Sequence, residues 1–191
     1  VEILRATTPP GWAEFATEDF PAFLADHADC ERKAAASCLS FVGKYHGHAF
    51  LVDPLLTLAR EELEHFQQVY RIMTKRGVTM RLAEPDPYVN GLLEAVRTGP
   101  TERLLDRLLI CAFVEARSCE RLFLVAKVLS DSELQDFYET LARAEAADIG
   151  QHQARRVADE VRVRHERNQR VQAGSTPRVS FAESYADDDE D

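Results

Sequence analysis

The chain has 191 residues, of which 45% are hydrophobic and 29% are charged, with a formal net charge of -10 at pH 7. This length fits one globular domain, and no apolar run reaches the roughly 20 residues that a membrane-spanning helix requires. A strongly acidic chain is a poor partner for nucleic acid, because phosphate binding draws on clustered Lys and Arg. However, residues 182–191 carry six of the negative charges, which leaves about -4 for the rest by subtraction, so the body of the chain does not exclude such a partner.

The compartment follows from the N-terminus and the cysteines. Residues 1–12 show neither the basic start and apolar stretch nor the cleavage site of a secretory signal. The four cysteines form no Cys-x-x-Cys pair. We therefore expect a cytoplasmic protein with no membrane association, and cysteines that stay reduced.

Apolar residues at three- and four-residue steps predict long helices. After an N-terminal extension, residues 1–18, the first helix begins at Asp19 or Phe20 and runs to about Gly43. In the second, Asp53 is the predicted cap, Pro54 occupies the first turn, and Gly77 follows the last turn.

The second half of the chain repeats this arrangement. Residues 78–99 contain prolines and glycines and predict a long crossover with one short helix near 88–97. A third helix is expected over 100–129, and a capping box at Ser130-x-x-Glu133 opens a fourth, which ends between 161 and 170. Four long helices with a long central crossover predict an all-α, ferritin-like bundle over residues 19–170, followed by an acidic, flexible tail, residues 171–191.

Each of the four predicted helices places an acid within its apolar stripe, and two of them add a second potential ligand three residues later. Residues three apart lie on one helix face and can reach the same ion. The matched spacing, 31 residues between the first two acids and 30 between the second two, favours two half-sites for two metal ions. Carboxylates with imidazole suit iron or manganese. The predicted ligands are Glu31, Glu62, His65, Glu115, Glu145 and Asp148.

The second half-site has alternatives. Asp148 stands where a symmetric site would have histidine; it either ligates the second ion or is too short to reach it, and His152 either substitutes or only ends the bundle. Glu120 competes with Glu115 for the third helix, but it lies five residues, about 140 degrees, further round. The matched spacing favours Glu115.

Several motifs resemble the MiaE family of tRNA hydroxylases, over about residues 20–160. The most specific is Glu-Ala-Arg-Ser-Cys-Glu-Arg within 114–121; the others are Glu-Glu-Leu-Glu-His-Phe at 61–66, Arg-Gly-Val at 76–78, and Phe-Tyr at 137–138 ahead of Glu-Ala at 145–146. The resemblance implies a ferritin-like, nonheme di-iron monooxygenase that hydroxylates 2-methylthio-isopentenyl-adenosine in tRNA. It also implies that the acids and histidine named above are ligands, except at position 148, where the family has histidine.

The same resemblance implies two iron ions as cofactor, dioxygen as co-substrate, and a reductase as electron donor. Basic residues near one end of the bundle would bind tRNA, or would only complement a helix dipole. The candidates are Arg71, Lys75, Arg76, Arg81, Arg117 and Arg121.

Three other hypotheses stay open on the sequence. A ferritin-like protein can bind or oxidise iron without an organic substrate, although iron storage needs neither the Arg-Ser-Cys-Glu-Arg run nor the long crossover. A di-iron oxygenase can be repurposed for a substrate other than tRNA, or the bundle can have lost its metals and serve as an interaction module. Asp148 favours the last of these.

Overall fold

The computed structural model describes residues 4–81, 85–147 and 163, and within these ranges the chain has six helices and no strand. The helices are α1 (Trp12–Thr17), α2 (Phe20–Lys44), α3 (Ala49–Lys75), α4 (Pro87–Leu93), α5 (Pro100–Val128) and α6 (Ser132–Ala147). The all-α prediction is confirmed. None of these helices is both long and apolar enough to cross a bilayer.

The long helices form two pairs, because α2 packs mainly against α3, and α5 against α6. The connection from α3 to α5 is the long crossover, and it contains the short helix α4. Helix α4 contacts α5, while α1 contacts both α2 and α5. The two pairs with a long crossover between them are the predicted ferritin-like arrangement.

The apolar core divides into two clusters at different levels of the bundle. One cluster joins the beginning of α2 to the end of α3 and α5 and to α6, with Leu24, Val69 and Tyr138 fully buried. The other joins the end of α2 to the beginning of α3 and α5, with Leu51 and Leu104 at its centre. The level between them is the one at which the predicted ligands lie.

The predicted beginning of the second helix was wrong. Helix α3 begins at Ala49, five residues before Pro54, and Asp53 lies inside it. Proline has no N–H, so its presence there removes one bond of the ladder. The extra turn buries Leu51, which is only 1% exposed, and burying a leucine is worth about 1.5–3 kcal/mol. That gain exceeds the loss of one hydrogen bond.

The cap of the fourth helix was also assigned to the wrong residue. The Asp131 carboxylate, not the Ser130 hydroxyl, accepts hydrogen bonds from the backbone N–H groups of Glu133 (3.0 Å) and Leu134 (3.4 Å). Asp131, the residue directly before α6, is therefore the N-terminal cap of this helix. Asp148, His152 and the tail, residues 171–191, lie outside the described residues, and so does the predicted end of the fourth helix, 161–170, except for residue 163.

Candidate metal centre

Four predicted ligands from three helices converge at the level between the two core clusters. They are Glu31 on α2, Glu62 and His65 on α3, and Glu145 on α6. Each offers one ligand atom, and these atoms all lie within 4.8 Å of one another. Every one of the four side chains is buried, with 3–7% of its surface exposed.

The geometry follows from the helical repeat. Glu62 and His65 are three residues apart on α3, so both point towards the bundle centre. His65 Nδ1 lies 2.8 Å from Glu145 Oε1 on the opposite helix pair. The cluster therefore connects the α2–α3 pair to the α5–α6 pair.

Glu115 of α5 completes the set of carboxyl groups without belonging to the tight cluster. Its side chain is half-buried, and its carboxyl group interacts with those of Glu145 and Glu62. Glu120, its competitor in the sequence, instead accepts hydrogen bonds from Thr8 N (3.1 Å) and Thr8 Oγ1 (2.7 Å). Of these two acids of α5, only Glu115 faces the centre.

Crowding and burial alter the ionisation of the acids. Burial raises the pKa of Glu62 well above its usual range, and the neighbouring Glu115 and Glu31 raise it further. Burial also raises the pKa of Glu115, with Glu145 adding to the effect. The charged form of both groups is unfavourable, because each carboxylate would be buried next to other negative charges. A cation among them would reverse this preference.

Glu31 is the exception, because it has a dedicated hydrogen-bond donor. Burial opposes its ionisation and is the largest single effect, but the hydrogen bond and charge of His27, together with Glu62 and His65, outweigh it and lower the pKa of Glu31. The bond joins His27 Nε2 to Glu31 Oε1 over 2.8 Å, and His27 Nδ1 lies 3.3 Å from the Tyr138 hydroxyl. Since a carboxylate only accepts, Nε2 carries the proton and Nδ1 accepts from Tyr138.

Neither His27 nor Tyr138 was among the predicted site residues. Both belong to the apolar stripes of their helices, where the sequence gives no reason to separate them from core residues. The available signal was spacing: His27 precedes Glu31 by four residues, one helical turn.

The donor set fits iron. Carboxylate oxygens with imidazole nitrogen suit iron and manganese, whereas zinc structural sites and soft-metal sites draw on thiolates. A buried cluster of acids is costly unless a cation compensates it. The residues present are therefore those that an iron centre needs.

Four of the basic residues predicted to bind tRNA lie near the C-terminal end of α3 or just beyond it: Arg71, Lys75, Arg76 and Arg81. Lys75 Nζ donates to Glu133 Oε2 over 3.1 Å, and Arg76 pairs with Asp131. These exposed ion pairs connect α3 to the beginning of α6. Exposed pairs contribute at most about 1 kcal/mol, so phosphate can compete for the cations.

The other two basic residues lie on α5 and differ in their contacts. Arg117 pairs with Glu120 and donates to Ala6 O over 2.9 Å, so it holds the N-terminal segment against the bundle. Arg121 lies over the Trp12 ring, with its Cζ 4.6 Å from the ring centroid.

Residues 1–177 match the family described as tRNA-(MS[2]IO[6]A)-hydroxylase (MiaE). The chain belongs to the MiaE family. The resemblance predicted from the sequence is thus confirmed, and with it the prediction of an oxygen-dependent hydroxylase.

Two MiaE relatives show how far the similarity extends. A tRNA 2-(methylsulfanyl)-N(6)-isopentenyladenosine(37) hydroxylase from Pseudomonas putida is 43% identical over 75% of this chain and 69% of its own length. The protein of the same name from Salmonella typhimurium is 31% identical over 76% of this chain and 72% of its own.

A solved structure supports the fold. It is that of protein 43 with aldehyde deformylating oxygenase activity from Synechococcus, with a TM-score of 0.78 and 33% sequence identity. The match covers 91% of this chain and 85% of the other. The predicted ferritin-like bundle is confirmed.

Proposed function

We propose that this protein is a di-iron hydroxylase that adds one oxygen atom to the isopentenyl group of 2-methylthio-isopentenyl-adenosine in tRNA. Family membership supports the reaction and the substrate. The observation that carries the proposal is the convergence of four buried ligands within 4.8 Å, because a working centre of this family needs them together. Dioxygen would be the co-substrate, and a reductase would supply two electrons.

The metal-binding part of the proposal concerns six residues. Two ferrous ions would be held by Glu31, Glu62, His65, Glu115, Glu145 and Asp148, the last of which lies outside the described residues. When bound, iron would activate dioxygen. One oxygen atom would be inserted into a carbon–hydrogen bond of the isopentenyl group, and the other would be reduced to water by two electrons and two protons. An Asp148→His variant tests the last ligand: we expect an altered but retained metal spectrum, and an unchanged spectrum would show that Asp148 is not coordinated.

The protein's own residues prepare the centre. His27 holds the Glu31 carboxylate in one orientation and keeps it ionised. Tyr138, which is fully buried, fixes the other side of the His27 ring. Glu62 and Glu115 would release their protons as the metal enters, since metal ligands must be deprotonated. The apolar clusters above and below would limit the entry of water from the two ends of the bundle.

Binding of tRNA would use the exposed cations at the end of α3. Arg71, Lys75, Arg76 and Arg81 are exposed, and Lys75 and Arg76 lie beside the beginning of α6. Exchanging an exposed carboxylate partner for phosphate costs little. Binding through such contacts would weaken steeply with salt.

The experiment uses iron-loaded, chemically reduced protein and tRNA that carries the prenylated base. Nucleoside mass analysis should show one added oxygen, and Glu62→Gln should abolish it. Glu64→Gln is the matched control, because this neighbouring acid is exposed. Unchanged tRNA with wild-type protein that contains iron and consumes dioxygen would reject the proposal.

A second candidate function is oxygen-dependent conversion of an aldehyde. It is favoured by one observation, the structural match over 91% of this chain to a protein with aldehyde deformylating oxygenase activity. The 43% identical relative, named as a tRNA hydroxylase, favours the first candidate. Incubating the same iron-loaded protein with an aldehyde in place of tRNA distinguishes them, since loss of the formyl carbon would support the second.

A further inference from the structure

A cavity of about 140 Å³ lies between α2 and α5, beside the metal centre. Its walls include the apolar side chains of Phe23, Val114, Leu122 and Val125. His27 also lines it, and the Nε2 atom of that ring is 2.8 Å from Glu31 Oε1. The cavity thus reaches within one side chain of the ligand cluster.

The size and lining of the cavity fit a short branched hydrocarbon. An engineered apolar cavity of about 150 Å³ holds benzene, which has six carbons, and the isopentenyl group has five. A purine would not fit in the same space together with that group. The prenyl tail can enter, while the base must stay at the mouth.

The mouth of the cavity carries flat groups suited to a nucleic-acid base. The Arg121 guanidinium lies close to the rings of both Trp12 (4.6 Å from Cζ to the centroid) and Tyr88 (5.8 Å). RNA-binding proteins stack unpaired bases on aromatic rings and on guanidinium planes. Tyr88 is 36% exposed, so a base can reach its ring from solvent.

The hydrogen bonding of Arg121 also points to a missing partner. Its Nε is buried and has no hydrogen-bond partner among the residues that the structure describes. Burial, together with the charge of Arg117, lowers the pKa of Arg121. A ring nitrogen of a bound base would give this guanidinium an acceptor and offset part of its desolvation.

The charges at the mouth favour a neutral base over a phosphate. Asp26 and Asp86 both line the cavity and would repel an anion. Arg117, the second cation of the lining, already pairs with Glu120 and binds Ala6 O. The cavity mouth therefore has no excess of positive charge to attract a phosphate, and stacking and shape decide what binds.

We infer that this cavity takes the isopentenyl group of the substrate base, and that Tyr88 and Arg121 bind the purine at its mouth. This inference rests on the proposed function and extends it by naming the residues that would recognise the base. The base would have to leave its stack in the tRNA to reach this position, as in other enzymes that modify bases.

Filling the cavity tests its occupant. Ser118 lines it, and Ser118→Phe should lower kcat/KM for prenylated tRNA at least ten-fold while leaving iron content and helical circular dichroism unchanged. Ser37→Phe is the matched control, because Ser37 is exposed on α2. A Ser118→Phe protein that keeps its iron and hydroxylates as wild type does would overturn the inference.

The mouth is tested by removing one ring. Loss of base–aromatic stacking typically weakens binding by about 5- to 150-fold, so Tyr88→Leu should raise KM by a factor in this range with little change in kcat. Tyr88→Phe should restore the wild-type KM, and Tyr70→Leu, which removes an exposed tyrosine of α3, should leave it unchanged.

The outcomes separate this inference from the proposed function. Wild-type protein that hydroxylates tRNA, with Tyr88→Leu and Ser118→Phe equally active, would overturn the inference alone. Wild-type protein that contains iron but leaves tRNA unchanged would overturn both. Selective loss in these two variants, with active controls, supports both.

Discussion

The metal-free protein should lose stability as the pH rises, because Glu62 and Glu115 hold protons in the folded state. Their folded pKa values are raised by burial and by neighbouring acids, whereas an unfolded glutamate has a pKa near 4.5. Above that pH the unfolded chain binds fewer protons than the folded one, so the free energy of unfolding falls with pH. Glu31, with its lowered pKa, has the opposite effect, but only as the pH falls below the unfolded value.

The slope depends on how many protons the cluster keeps. Each retained proton lowers the free energy of unfolding by roughly 1.4 kcal/mol per pH unit, so two lower it by roughly 2.7 kcal/mol per pH unit. The assay is urea unfolding of chelator-treated protein between about pH 5 and about pH 7. Bound metal should reverse the trend, because protons and metal compete for the same carboxylates.

Two variants make this prediction specific. Glu62→Gln replaces the protonated acid with a neutral amide. It should remove the contribution of one proton from the pH dependence of the free energy of unfolding, and it should stabilise the metal-free protein at neutral pH. Glu64→Gln, at an exposed position of α3, should retain the wild-type slope. A metal-free wild-type protein whose stability is constant or increases over this range would refute the reasoning, as would a Glu62→Gln slope equal to that of wild type.

Three further predictions concern metal binding and stability. Manganese or ferrous ion at a hundred times its Kd should raise the free energy of unfolding by about 2.7 kcal/mol in a thermal-shift series, and equal stabilisation of His65→Ala would contradict the assigned site. Tyr138→Phe should lower stability by about 1 kcal/mol in urea, because only the hydroxyl bond to His27 is lost; a stability equal to that of wild type would show that this bond contributes nothing. Asp131→Ala should cost about 1 kcal/mol and Ser130→Ala almost nothing, and equal losses would contradict the cap seen at α6.

The helices were predictable where local signals and core packing agree. Helix α2 begins after Asp19, whose carboxylate accepts a hydrogen bond from Ala22 N, and α5 begins at Pro100, both as expected. At α3 the local signal, Asp53 with Pro54, competed with burial of Leu51, and burial prevailed. The burial of Leu51 depends on the helices that pack against it. The sequence pattern of α3 alone therefore does not reveal where this helix begins.

For the site, spacing was sufficient to identify positions but not contacts. Glu62 and His65 were predicted to share one face, and the structure brings them together with Glu31 and Glu145. The role of His27 was not predictable, because it depends on a hydrogen bond with Tyr138, which lies on another helix. Arg117 likewise donates to Ala6 O, which belongs to a segment without a periodic sequence pattern.

The most direct test of the account is the origin of the oxygen in the product. Iron-loaded protein, a reductant and prenylated tRNA would be incubated under isotopically labelled dioxygen, and the nucleosides analysed by mass. One labelled oxygen atom in the isopentenyl group is the predicted result, with none in Glu62→Gln. Unlabelled product, or no product from wild-type protein with a full iron complement, would contradict the account.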